Sequence, residues 1–199
     1  LIAGSTLQTL DDASALVRLA DGSTLLLSPN SQLEFESLAA DAGGVRSEAR
    51  LRLQQGQSEV RVNPARRAPA RLQIQTPAAQ AVVRGTVFRL RADEDLTREE
   101  TLRGLVGVQA GGGGVSVGRG MGTVARMGAR PLPPIRLLPP ADLAALPARF
   151  EQLPLRFPLP RLRGADGWLG EVMPDAARNR ILTRKTARGE ALTFADLAN

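Results

Sequence analysis

The chain has no cysteine, no histidine and no tyrosine among its 199 residues, and Lys185 is its single lysine. Without cysteine there is no disulfide framework, no thiolate metal site and no thiol redox chemistry. Without histidine the commonest metal ligand, the usual general base and the usual physiological pH switch are missing. Aromatic residues make up 3% of the chain, too few for the stacking platforms of nucleic-acid binders, and no nucleic-acid recognition motif is present. Nucleic acid is therefore excluded as an expected partner. No apolar run approaches the ~18 residues that would cross a bilayer as a helix. Leu1 to Leu10 carries neither a basic n-region nor a cleavage site. The chain also begins without methionine, so it is expected to be a mature or excised fragment. Any signal peptide would lie upstream of Leu1, and membrane association is expected only through such upstream parts.

What is present is an ordinary globular composition with 43% hydrophobic residues, enough for one or two domains. The formal charge is +6 and the sequence pI about 11.3, a balance that favours anionic partners through long-range attraction. Nearly all of the positive charge is arginine. It is scattered, apart from Arg66, Arg67 and Arg71 around the Pro64 to Pro69 turn.

The first two thirds of the chain read as strands. Ala15, Val17 and Leu19 alternate with Leu16 and Arg18, Asp21-Gly22 supplies a tight hairpin turn, and Leu25 to Leu27 continues as a buried run. Leu33 and Phe35 then alternate with Gln32, Glu34 and Glu36. Leu51 and Leu53 are expected to pair with Val60 and Val62 about Gly56. The motif Arg-Leu-x-x-Gly occurs twice, ending at Gly22 and at Gly56, which suits short strands with regularly spaced turns.

Residues 72 to 90 are the most informative stretch. Leu72 and Ile74 face one way and Arg71, Gln73 and Gln75 the other, the alternation of a half-buried strand. Thr76-Pro77 ends that strand, because proline lacks the ladder donor and restrains the residue before it. In the second pattern Val82, Val83, Val87, Phe88 and Leu90 are apolar on both faces. One central strand is expected here, with Gly85 marking a bulge or a close backbone approach. Arg84, embedded among apolar residues, would need a carboxylate or several carbonyls to offset its burial.

These pieces, taken in order, resemble the FecR domain of Gram-negative envelope proteins. The hallmark Thr76-Pro77 … Val83-Arg84-Gly85-Thr86-Val87-Phe88 follows an aspartate-glycine strand (Leu19 to Pro29) and a leucine-glycine strand (Leu51 to Val62). After a charged excursion, Gly104-Leu105-Val106-Gly107-Val108 looks like a further family strand. The resemblance covers roughly residues 1 to 130. It implies a periplasmic, non-enzymatic module without cofactor, and its motif positions Asp21, Gly22, Gly56, Thr76, Pro77, Arg84, Gly85, Thr86 and Phe88 are the candidate interaction residues.

A second segment begins at Pro131, Pro133, Pro134, Pro139 and Pro140, which read as a polyproline-like linker over 131–150. Within it Ala141 to Phe150, with Asp142 as N-cap, is expected to form a short helical turn. Strands are then expected at Leu155–Phe157, Gly167–Val172, Arg180–Thr183 and Ala191–Phe194. Residues 151–199 resemble the opening of a fibronectin type III or immunoglobulin-like sandwich, incomplete at Asn199 and departing from that family where Leu159-Pro160 stand in place of its tryptophan. The expected fold is thus all-β: short antiparallel strands in two packed layers or a solenoid-like stack, followed by a partial sandwich.

Other constellations carry little chemistry. Asp93-Glu94-Asp95 with Glu99-Glu100 reads as a solvated acidic loop without the spacing of a calcium site. Gly111 to Gly114 and Gly118 to Gly122 lack the Gly-Lys-Ser/Thr and the helix of a phosphate cradle, and are read as turns. Lys185 sits in a hydrophilic run with no nucleophile elbow. No catalytic or metal-binding residue is assigned. The resemblance leaves two functions open. The first is an envelope scaffold linked to LysM-type peptidoglycan binding, with peptidoglycan or an envelope protein as partner. The alternative is the periplasmic sensor part of an anti-sigma regulator that binds an outer-membrane transporter.

Overall fold

The computed structural model describes residues 2–40, 47–64, 71–83, 85–144, 146–147, 149–174, 176 and 179–196. Every regular element among them is a strand, as the all-β expectation requires. The chain divides into two compact units, Leu1–Leu137 and Leu138–Asn199.

The first unit is one continuous sheet curled over on itself. Its first layer is ordered β1 (Thr6–Gln8), β4 (Gln32–Ala40), β5 (Ser47–Arg61), β6 (Arg71–Gln75), β7 (Gln80–Val83), β10 (Leu105–Ala110) and β11 (Gly113–Gly118). The second is ordered β2 (Ala15–Arg18), β3 (Thr24–Leu27), β5 again, β8 (Val87–Ala92), β9 (Leu96–Arg103), β12 (Met121–Arg126) and β13 (Ile135–Arg136). Neighbouring strands are antiparallel except for β5 and β6.

The sharing of β5 explains the curl. Its first half pairs with β4 and β6, and from Gly56 onward it pairs with β3 and β8. The expected hairpin about Gly56 is therefore corrected to a single 15-residue strand that changes layers there. Gly56 has φ +92, and a Cβ on it would fall against Ser31 Oγ, 2.5 Å from Ser31 Cα and 2.6 Å from Asn30 O. Only glycine combines that backbone conformation with that approach.

Between the layers lies one apolar core. The first layer contributes Leu33, Phe35, Leu51, Leu53, Leu72 and Ile74, and the second Leu25, Leu27, Val60, Phe88 and Leu90, all essentially buried. Alternate residues of each strand point inward, so the period-2 patterns of β4 and β6 placed their core faces correctly. The second unit has a smaller core of Leu159, Leu192 and Phe194, with Leu155, Phe157 and Trp168 packed on it. There β14 (Leu155–Pro158) pairs with β17 (Ala191–Phe194), and β15 (Trp168–Val172) with β16 (Thr183–Ala187). Gly170 lets the two ladders meet, because a Cβ on it would overlap Leu192. First strand with last and inner with inner is a nested pairing, whereas an immunoglobulin-like sandwich sets its first strand beside its second. The strand expected at Arg180–Thr183 instead runs Thr183–Ala187.

The expected helical turn at Ala141 to Phe150 is also corrected among the described residues. Asp142 Oδ1 accepts a hydrogen bond from Ala144 N at 3.0 Å, and Leu146 N donates to Leu143 O at 3.0 Å, which closes a turn without a helix. Three prolines, at 139, 140 and 147, leave few consecutive donors to extend it.

Candidate interaction site

The motif residues gather at the two ends of the first unit, where its layers are joined. At one end Asp21 and Gly22 turn β2 into β3. Asp21, 3% exposed, accepts from Ser23 N at 2.9 Å and Ser23 Oγ at 2.8 Å. Its carbonyl accepts from Asn63 Nδ2 at 2.9 Å, and Ser23 Oγ accepts from Asn63 N at 3.1 Å. One residue earlier, Val62 N donates to Thr86 O at 2.9 Å, and Pro64 packs against Gly85. Residues 62–64 thus tie the Asp21-Gly22 turn to the Gly85-Thr86 motif.

That motif lies between strands. β7 ends at Val83 in the first layer and β8 begins at Val87 in the second, so the expected single central strand is corrected to two strands joined by a corner. Gly85, at φ +58, makes the turn, and Gly104 lies so close that its Cβ would come within 2.7 Å of Thr86 Cγ2. Val82 is 38% exposed on the outer face of β7, so the apolar run reflects a change of layer and not burial on both faces. Arg84 lies outside the described residues, as do Arg66 and Arg67.

At the opposite end Thr76 and Pro77 close the β6–β7 hairpin. Thr76 N donates to Ala79 O at 2.8 Å and Thr76 Oγ1 accepts from Ala79 N at 3.0 Å. The same hydroxyl shares a hydrogen bond with Thr97 Oγ1 of β9 at 2.6 Å, which fastens one layer to the other. Gly56 belongs to this end, since Gly56, Ala92 and Thr97 are in register across the second layer. There Ser31 Oγ accepts from Gln57 N at 3.0 Å and Thr9 Oγ1 donates to Ser28 O at 2.7 Å. Phe88 is fully buried. Gly22 and Pro77 are the exposed ones among the described motif residues, Pro77 on an open depression lined by Glu34, Arg52 and Gln54. Most of the described motif residues therefore build the frame, with Gly22 and Pro77 at the surface.

Glu99 was not singled out by the sequence pattern as a buried group. The presumed acidic loop is a short turn at 93–95 followed by β9, with Glu99 and Glu100 on opposite faces. Thr97, Glu99 and Thr101 all point inward. Glu99 Oε1 accepts from Thr101 Oγ1 at 2.7 Å, while Oε2 is buried with no partner. Burial, with the Glu100 charge adding to it and the Thr101 hydrogen bond opposing it, raises the Glu99 pKa from 4.5 to about 7. Two further acids of the second layer are engaged by arginine: Asp93 with Arg91 and Arg98 at 3.3 and 2.7 Å, Glu59 with Arg61 and Arg89 at 2.9 and 3.0 Å. Period-2 alternation was the available signal in β9, hidden because its inward row is polar. Lys185 stands 6.0 Å from the centre of the Phe194 ring.

A two-layer β domain stitched at both ends is the class that fold and site define. The chain belongs to the FecR protein family, whose model matches residues 5–107. Two crystal structures of a candidate anti-sigma factor from Parabacteroides distasonis share the fold, with TM-scores of 0.55 and 0.53 and 14% sequence identity. Each alignment covers 67% of this chain and 60% of that one, so the match spans less than two thirds of that protein's length. No curated protein matches the chain.

Proposed function

We propose that this chain is the non-catalytic sensor part of a FecR-type regulator. In this reading it lies in the periplasm, contacts an outer-membrane transporter and relays that contact towards a sigma factor through parts of the protein outside this chain. The observation that carries the reading is the family match over residues 5–107, which falls within the first unit. The shared fold of a candidate anti-sigma factor supports it.

The frame residues suit such a part, because they hold the layers together and leave the outer faces and edges for recognition. Among the sheet edges, β1 and β13 are only three and two residues long. The β11 edge is occupied in part by Thr101 Oγ1, which lies 3.1 Å from Val117 O. β2 pairs with β3 alone and is the edge best placed for strand addition, where main-chain bonds supply affinity and side chains supply choice.

The test is capture by the purified chain from solubilised outer-membrane proteins, in parallel with sedimentation on insoluble peptidoglycan. Selective capture of a transporter supports the regulator. Retention on peptidoglycan that persists at ~0.15 M salt, where exposed charges are largely screened, with no transporter captured, would replace it with the envelope-scaffold reading.

A further inference from the structure

We infer that the outer face of the second layer is a cationic docking surface for an acidic segment of a partner protein. The inference rests on the reading that the first unit meets a protein partner. Strand register sets out the surface. Arg18, Thr24, Arg61, Val87 and Arg103 align in one row across β2, β3, β5, β8 and β9. Arg89 stands in the next row between Glu59 and Glu100, and Arg91 and Arg98 are cross-strand neighbours in the row beyond. Adjacent strands lie about 4.8 Å apart, so the guanidinium groups form a dense array.

The face's own acids show how it receives a carboxylate. Glu59 is held between Arg61 and Arg89, and Asp93 between Arg91 and Arg98. Arg89 also pairs with Glu100 at 3.7 Å, so Arg61 and Arg89 are matched by two carboxylates, whereas Asp93 alone serves Arg91 and Arg98 and leaves positive charge after internal pairing. Arg18 and Arg103, at the two ends of the first row, are exposed and make no ion pair with a carboxylate of the described residues. The excess continues around the Arg103 end. Residues 101–137 contain Arg103, Arg119, Arg126, Arg130 and Arg136 and no acidic residue. Gly120 N bonds to Thr101 O at 2.8 Å, which brings Arg119 to the Arg103 end of β9.

Arginine forks match carboxylates and phosphates alike, so the preference for a peptide over a phosphate polymer rests on one further feature. Exposed apolar side chains flank the array, Leu16 at 37% and Ile135 at 70% exposure, and offer contact to the side chains of a peptide that polyphosphate does not have. The outer face of the first layer has an exposed apolar side chain in Val82 but no arginine excess: Glu34 and Glu36 outnumber Arg52 there, beside the amides of Gln54, Gln73, Gln75 and Gln80.

The probe is a fluorescein-labelled peptide of alternating glutamate and leucine, titrated with the whole chain at several salt concentrations. Its competitors are polyphosphate of equal charge and vesicles containing anionic lipid. Arg18→Glu with Arg103→Glu is compared with Arg156→Glu with Arg163→Glu, an equal charge change on exposed residues of the second unit. Retained thermal unfolding profiles establish that both variants fold. The first pair is expected to weaken peptide binding roughly tenfold or more, and the second less than about twofold, because only contact charges survive screening. Equal losses in both variants would overturn the inference, as would stronger competition by polyphosphate or vesicles than by unlabelled peptide. Capture of the membrane partner separates the two readings. If the wild-type chain captures no protein but binds the peptide through Arg18 and Arg103, the regulator reading fails and the surface stands. If the Arg18→Glu, Arg103→Glu variant captures its partner undiminished, the surface fails and the regulator reading stands.

Discussion

The two layers of the first unit solve the same packing problem with opposite chemistry. The first is apolar inside, through Leu33, Phe35, Leu51, Leu72, Ile74 and Val106, and sets amides beside acid-rich ion pairs of Arg50 and Arg52 outside. The second carries Thr97, Glu99 and Thr101 on its inner side and an arginine array on its outer side. Both layers bury apolar side chains, Leu25, Leu27, Val60, Phe88 and Leu90 in the second, but the second also accepts buried polar groups and like charges side by side. Departures from local consistency tend to mark function, and here they fall on one layer.

Truncating the first layer's core is expected to have the largest effect. Leu51→Ala or Ile74→Ala, at fully buried positions, should cost about 3–4 kcal/mol in urea unfolding. A loss below about 1 kcal/mol would mean that the first layer is not closely packed. Gly56→Ala tests the pivot shared by both layers. Positive φ and overlap with Ser31 should together cost about 3 kcal/mol, with spectroscopic probes of both layers melting together.

The second layer should be the pH-sensitive one. Because the folded-state pKa of Glu99 is raised from 4.5 to about 7, its contribution is full below about pH 4.5 and is lost as pH rises through about 7. The folded state holds a proton there that the unfolded chain has released, so stability falls with increasing pH by up to about 3 kcal/mol. Glu99→Gln should flatten that part of the profile, and a slope unchanged in the variant would assign the dependence elsewhere. Smaller effects separate the outer faces. Glu59→Gln, which leaves Arg61 and Arg89 without a shared carboxylate, should cost about 1–2 kcal/mol, most visibly at low salt. Gln73→Ala, facing solvent on the first layer, should change stability by less than about 0.5 kcal/mol. Equal costs for these two would erase the contrast between the faces.

The same contrast shows what was legible in the sequence. Strands of the first layer alternate plainly, so β4 and β6 and their core residues could be read from Leu33, Phe35, Leu72 and Ile74. The Asp21-Gly22 hairpin was equally plain, since turn chemistry is local. Gly56 and Gly85 were recognisable as special but their roles were not, because a glycine that moves a strand from one layer to another carries the same local signal as a hairpin or a bulge. β9 was lost to its own composition. A strand whose inward row is Thr97, Glu99 and Thr101 between charged outward neighbours offers no apolar period to detect. The arginine array could not be seen at all, because Arg18, Arg61, Arg89 and Arg103 become neighbours only through register.

The sharing of β5 has a kinetic consequence. A chain in which one strand completes both layers cannot finish either without the other, and its partners β3, β4, β6 and β8 come from both sides of it in sequence. Loop closure over such separations must be met before the pairings reward it. The first unit is therefore expected to fold slowly, in one cooperative step and with no stable half-sheet along the way.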